Sequence, residues 1–153
     1  MTRTIVLTIL CGILTFFAAW GYPNKNKISP HDRCGIAGDW KNQHGSMMKI
    51  TCRKGSLRGK YISAVGEAND IYELSGRYTM TGVNEEDCIL GFSVAWNNDV
   101  RGNSNSTTSW TGLHHGSEGI IHTHWILTRY REIESMWAAN LVGHDTFMRI
   151  KSQ

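Results

Sequence analysis

GFSVAWNNDVRGNSNSTTSWTG (91–112) is the stretch whose reading decides the fold class. Its two ends alternate: Phe92, Val94 and Trp96 fall on one side of the first half, and Ser106, Thr108 and Trp110 on one side of the second. A period of two is that of the pleated strand. The polar, Asn-rich centre, 97–105, reads as the connection between two strands. Working outward, the same pattern recurs along the chain, giving strands at 35–42, 46–53, 57–65, 71–81, 88–97, 106–114, 119–129 and 138–150. Clusters of Gly, Asn, Asp, Ser and Lys near 43–45, 54–55, 66–70, 82–87 and 116–117 separate them, and connections this short favour sequential hairpins over crossovers. The expectation is an all-β fold, an eight-stranded antiparallel up-and-down barrel whose closure removes its own edges. No long amphipathic helix is present, and 129–136 is compatible with a short helix or a loop.

The N-terminus carries a different signal. Arg3 precedes a run from Ile5 to Trp20 without a charged residue, too short and wrongly flanked for a membrane span, and Ala19 with Gly21 supply the small residues that signal peptidase requires. Residues 1–21 are therefore expected to be a signal peptide, 22–33 a flexible lead-in rich in Pro, Asn and Lys, and 34–153 the barrel domain. The formal charge of +3 includes Arg3, and the remaining basic residues are scattered rather than massed, which gives no support to a nucleic-acid partner; a membrane partner is not expected either. Of four Cys, Cys11 leaves with the signal, so Cys34, Cys52 and Cys88 enter an oxidising compartment as an odd set. A hairpin between Cys34 and Cys52 would bring their ends to one rim, and that pairing is favoured.

Within the strands one face collects Gly38, Trp40 and Asn42; Tyr61 and Ser63; Phe92, Val94 and Trp96; Ser106, Thr108 and Trp110; Thr123, Trp125 and Leu127; Asp145 and Phe147. A purely structural interior would be Val, Ile, Leu and Phe, because each buried polar group without a partner costs roughly 1–3 kcal/mol. Indoles beside hydroxyl, amide and carboxylate groups describe instead a site for one small, compact, partly polar ligand, which an eight-stranded barrel is just wide enough to hold. Taken singly each Trp would be ordinary core, and Asn42, Ser46 and Tyr61 ordinary turn or surface residues. Asp145 within an apolar strand is the sharper signal, since an unpaired buried carboxylate is expensive.

The stretches GDWKNQHGS (38–46), GKYISAVG (59–66), SGRY (75–78), GFSVAWNN (91–98), TTSWTG (107–112), HWILT (124–128) and LVGHDTF (141–147) resemble the avidin/streptavidin family of biotin-binding proteins, in the family's order and across nearly the whole chain after the signal. The resemblance implies a non-catalytic protein that uses no cofactor and takes biotin as ligand. It assigns Asn42, Ser46 and Tyr61 as donors to the ureido oxygen, and Ser63 and Asp145 as acceptors from the ureido nitrogens. Thr108 faces the thioether sulfur; Trp96, Trp110, Trp125 and Leu127 box the rings. Ser106 and the backbone from Val65 and Gly66 to Ala68 hold the valerate carboxylate. Trp137 corresponds to the residue that caps a neighbouring subunit's ligand, which implies a homotetramer, secreted, that could also engage biotinylated molecules.

Departures from the family and competing readings complete the picture. His44 places a titratable imidazole where the family usually has an aliphatic residue, and Glu67 places a negative charge where the carboxylate should dock. Asn105-Ser106-Thr107 is a glycosylation sequon. Gly38-x-Trp40 is shared with lipocalin-like barrels, so a carrier of another small apolar ligand is the alternative; in either case Trp40 plugs one end, with Arg149 stacked over it. His114, His115, His122, His124 and His144 invite a metal site, but His122 and His124 point outward with no carboxylate or Cys at ligand spacing, and subunit contacts suit them better. No nucleophile stands beside a base and a third orienting group, so no catalytic residue is assigned.

Overall fold

The computed structural model describes residues 35–150 apart from 67, 69 and 82–85. Eight strands follow in chain order: β1 (Gly38–Asn42), β2 (Met47–Arg53), β3 (Ser56–Ile62), β4 (Ile71–Met80), β5 (Cys88–Asn98), β6 (Gly102–His115), β7 (Ile120–Arg129) and β8 (Asn140–Arg149). Each pairs antiparallel with the next, and β8 returns to β1 through Trp40–Arg149 and Asn42–Phe147, closing the barrel. The all-β, eight-stranded up-and-down architecture expected from the alternation is the one formed. The expected signal peptide, the lead-in and Cys34 lie outside the described residues.

Alternation produces the wall directly. In β5, Cys88, Leu90, Phe92, Val94 and Trp96 are buried, while Ile89, Ser93, Ala95 and Asn97 face out. Their burial against Ile50, Leu57, Leu74, Ile121 and Phe147 makes one continuous core, each large apolar side chain contributing about 1.5–3 kcal/mol.

Boundaries differ from the sequence expectation where side chains redirect the backbone. β1 begins at Gly38 rather than at 35, because the indole N–H of Trp40 donates to the Ile36 carbonyl at 2.9 Å and folds that segment under the ring. β3 stops at Ile62, since the Ser63 hydroxyl donates to the Val65 carbonyl at 2.8 Å and accepts its amide at 3.3 Å, a local turn that competes with the ladder. The largest correction concerns 97–105, expected to be a connection: β5 runs to Asn98 and β6 starts at Gly102. Asn98 Oδ1 accepts the amides of Val100 and Arg101 at 3.0 and 2.6 Å, and Gly102 takes the positive φ of +72° that a tight turn needs. The extra length is absorbed by a bulge opposite Trp96, with Asn105 at φ +52°. Between β7 and β8 the open segment resolves into a 3-10 helix, Ile133–Ala138.

One end of the barrel is plugged. Trp40 is fully buried, the Arg149 guanidinium lies 4.3 Å from its ring centroid, and Arg149 also donates to the carbonyls of Ala37 and Gly35. The His114 ring meets Trp40 edge-on at 5.6 Å. His114 is therefore an interior residue, unlike the outward His122 and His124 with which it was grouped by sequence. Its Nδ1 is 2.9 Å from the Glu86 carbonyl, which can only accept, so Nδ1 carries the proton and the buried, unpartnered Nε2 is bare. Burial depresses its pKa, and the nearby Arg149 cation adds to this against the opposing Glu86 hydrogen bond and Asp87. The unfolded chain therefore takes up the proton first, and stability contributed by neutral His114 is intact above about pH 6.5 and lost as pH falls through its lower folded value. Denaturant unfolding at successive pH values should show this decline, at most about 1.4 kcal/mol per pH unit from one group, and His114→Gln should flatten that part of the profile.

Among the described residues Cys88 is the free thiol; burial first, then Asp87, pushes its pKa up to about 11, so it stays protonated.

Candidate functional site

The other end of the barrel encloses a cavity of about 210 Å³. Eleven of the fourteen expected site residues line it: Asn42, Ser46, Tyr61, Ser63, Val65, Trp96, Thr108, Trp110, Trp125, Leu127 and Asp145. His44 joins them from the β1–β2 loop.

The polar groups gather at the deep pole. Asp145, buried in β8, accepts from Asn42 Nδ2 at 3.1 Å and Gln43 Nε2 at 3.2 Å through Oδ1, and from Trp110 Nε1 at 2.9 Å through Oδ2. Its charge is thus compensated by three donors, as burial requires. The Asn42 amide has one possible orientation, because its Oδ1 accepts the amides of His44 at 3.1 Å and Ser46 at 2.8 Å. The second N–H of Nδ2 is left for the cavity. Ser46 Oγ accepts the Ala64 amide at 3.0 Å, keeping its own proton to donate. Burial raises the pKa of Tyr61 well above the ordinary tyrosine range, the Asp145 charge raises it further, and a hydrogen bond with Ser46 partly opposes both. Tyr61 is therefore a proton donor throughout the range in which phenols ordinarily ionise. Three donors, Asn42, Ser46 and Tyr61, converge beside two acceptors, Asp145 and the Ser63 oxygen whose proton is held by Val65.

Aromatic rings form the walls. Trp110 stacks on Phe92 at 4.9 Å and 15°, leans on Tyr61 at 5.2 Å, and meets Trp96 edge-on at 6.4 Å. Trp96 Nε1 donates to Thr108 Oγ1 at 2.8 Å, which leaves the Thr108 hydroxyl proton free. Trp125 lies over bare backbone at its register partner Gly143, where a Cβ would come within 2.4 Å of the indole. Any larger residue there would push the ring off the wall. Preorganised donors, acceptors and π faces in one concave pocket suit recognition of a compact ring with both carbonyl and N–H groups.

A family model, the Avidin family, matches residues 30–150. The chain belongs to the avidin family. Avidin of Gallus gallus is 31% identical over 129 residues, covering 79% of this chain and 82% of that protein. Avidin-related protein 4/5 of the same species is 29% identical over 124 residues, 77% of this chain and 79% of its own. Fibropellin-1 of Strongylocentrotus purpuratus is 29% identical over 133 residues, 76% of this chain but only 11% of fibropellin-1. The similar stretch thus lies there within a much longer protein.

Three expected residues stand apart from the inner cavity of this avidin-family barrel. Gly66 lines an outer chamber with Ala68, Tyr72, Trp96, Arg101, Gly102, Asn103 and Ser104. Ser106, expected at the carboxylate, lines neither chamber; its hydroxyl pairs with Ser104 Oγ at 2.7 Å, and beyond the bulge it is Ser104 that faces the opening. Trp137 sits on the 3-10 helix, 87% exposed, and is absent from the lining of the cavity. Sequence reasoning missed Gln43, whose Nε2 donates to the His144 carbonyl at 3.1 Å and to Asp145, while its Oε1 accepts the Thr146 amide at 2.9 Å. A surface amide in a loop carries no local signal of this role, which depends on β8 lying beside β1.

Proposed function

We propose that the protein is a secreted, non-catalytic biotin-binding protein that sequesters the vitamin in the barrel lumen. The observation that carries this reading is the convergence of donor groups on Asn42, Ser46 and Tyr61 beside acceptors on Ser63 and Asp145 at a single pole. A cyclic urea presents one strong acceptor and two donors, the complement of that set. The three donors polarise the ureido oxygen toward an oxyanion, an interaction strengthened where water is excluded. Asp145 takes one ureido N–H in a charge-assisted bond and Ser63 the other. Thr108 offers its proton to the thioether sulfur, and Trp96, Trp110, Trp125 and Leu127 enclose the bicycle. Val65 and Gly66 flank the exit, where the valerate emerges.

Exposed Trp137 is assigned to the ligand of a neighbouring subunit in a homotetramer, which gives an otherwise costly exposed indole a buried environment. Residues 1–21 are assigned as the signal peptide, 22–33 as the lead-in and 34–153 as the binding domain, with Cys34 paired to Cys52 and a glycan acceptor at Asn105. Biotinylated molecules are within the same ligand class. A lipocalin-like carrier of a wholly apolar ligand is disfavoured, because such a ligand would leave the donors of Asn42, Ser46 and Tyr61 buried without partners.

Titration calorimetry with biotin, alongside tryptophan fluorescence, tests the proposal. Expected are one biotin per chain and a quench of indole emission. Absence of heat and quench with biotin, together with uptake of a retinoid-like probe, would refute it in favour of the apolar carrier.

A further inference from the structure

The inner cavity is complete for a compact head group, and its exit is bounded by Trp96, the one residue that also lines the outer chamber of about 720 Å³. A ligand tail that leaves the ring site past Trp96 enters the chamber lined by Gly66, Ala68, Asn103, Ser104 and Arg101. Arg101 is the only charged side chain among the described residues lining that chamber. It is carried on the turn between β5 and β6, held by Asn98 Oδ1 accepting the Val100 and Arg101 amides and by the positive φ of Gly102. Among the described residues no carboxylate is ion-paired with it. A guanidinium that shares a chamber with hydroxyl and amide groups is a receptor for a planar anion.

We infer that Arg101 makes this site select ligands whose flexible tail ends in an anion, so that the free acid binds in preference to its uncharged amide. The inference rests on the biotin reading of the inner cavity and adds a residue for the tail. Opposing charges limit the effect. Asp99 stands exposed in the same hairpin, and Asp70 already accepts the Ile71 amide at 2.7 Å. A partly solvated pair in such company is worth a discrimination of about three- to fivefold.

The test compares biotin with biotin primary amide by calorimetry on the full protein and on Arg101→Gln and Arg101→Glu. Both variants alter an exposed turn and leave every ring-pocket residue in place. The wild type should favour the acid about three- to fivefold, less at about 0.5 M salt than at about 0.05 M because the pair is screened. The preference should vanish in Arg101→Gln and invert in Arg101→Glu, with affinity for the amide unchanged in all three. An acid-to-amide ratio that is the same in both variants as in the wild type would overturn the inference while leaving the biotin reading intact. Failure of the wild type to bind either compound would overturn the biotin reading, and this inference with it.

Discussion

Asp145→Ala is expected to weaken biotin binding by more than about a hundredfold, because removing one partner from a buried, charge-assisted network costs about 2–5 kcal/mol. The loss has two sources. The ureido N–H loses its acceptor, and the donors on Asn42, Gln43 and Trp110 that converge on the carboxylate are left facing a hole. Freed Asn42 and Trp110 side chains then rotate away from the geometry that the ligand needs. Asp145→Asn separates the two sources. It keeps the volume but presents an amide whose NH₂ faces at least one existing donor, so it should retain more fold stability than alanine and still lose most of the affinity. Calorimetry for binding and thermal unfolding for stability read the two effects independently. Affinity within about fivefold of wild type in Asp145→Ala would remove the carboxylate from the site.

Trp110→Ala is the second large effect, and it should be felt in the fold as well as in the ligand. The indole is buried, stacks on Phe92, leans on Tyr61 and anchors Asp145 through its N–H. Truncating a buried Trp costs about 3–5 kcal/mol through lost contacts and the cavity left behind. For a domain of this size that lowers the unfolding midpoint by about 10 °C or more, and biotin binding should become undetectable at micromolar concentration. Trp110→Phe restores a ring over Phe92 but no donor to Asp145. It should recover most of the stability while binding remains impaired by roughly ten- to a hundredfold, the worth of a hydrogen bond to a charged group. Equal recovery of stability and affinity in Trp110→Phe would show that the N–H has no part in positioning the carboxylate.

The inward face was legible because it depends only on parity. Trp96, Trp110, Trp125, Tyr61, Asn42 and Asp145 lie in separate strands, yet each falls on the even or odd set that also carries buried neighbours, such as Val94, Ile121 or Phe147. Once the strands pair in sequence and the barrel closes, parity alone sends them to one lumen. Where a side chain competes with the ladder, parity is silent. Asn98 and Gly102 turned most of an expected loop into two more paired positions of the β5–β6 hairpin, and the bulge opposite Trp96 exchanged Ser104 for Ser106 at the outer opening. Ser63 ended β3 early by bonding to Val65. These outcomes hinge on a single φ or one side-chain hydrogen bond, whose energy of about 1 kcal/mol is too small to stand out from local composition.

The sequence by itself determined the all-β class, the eight hairpin-linked strands, the plug at Trp40 and the set of residues that share an interior, since all of these follow from a two-residue period and short polar connections. Only the tertiary structure decided which of those residues touch. That Gln43 and Asn42 secure Asp145, that the His114 ring is sealed against Trp40 with a bare Nε2, and that Arg101 stands over the exit past Trp96 each require strands far apart in the chain to be brought side by side. Closure of β8 onto β1 sets those distances, and no local pattern encodes the register at which a sheet meets its own first strand.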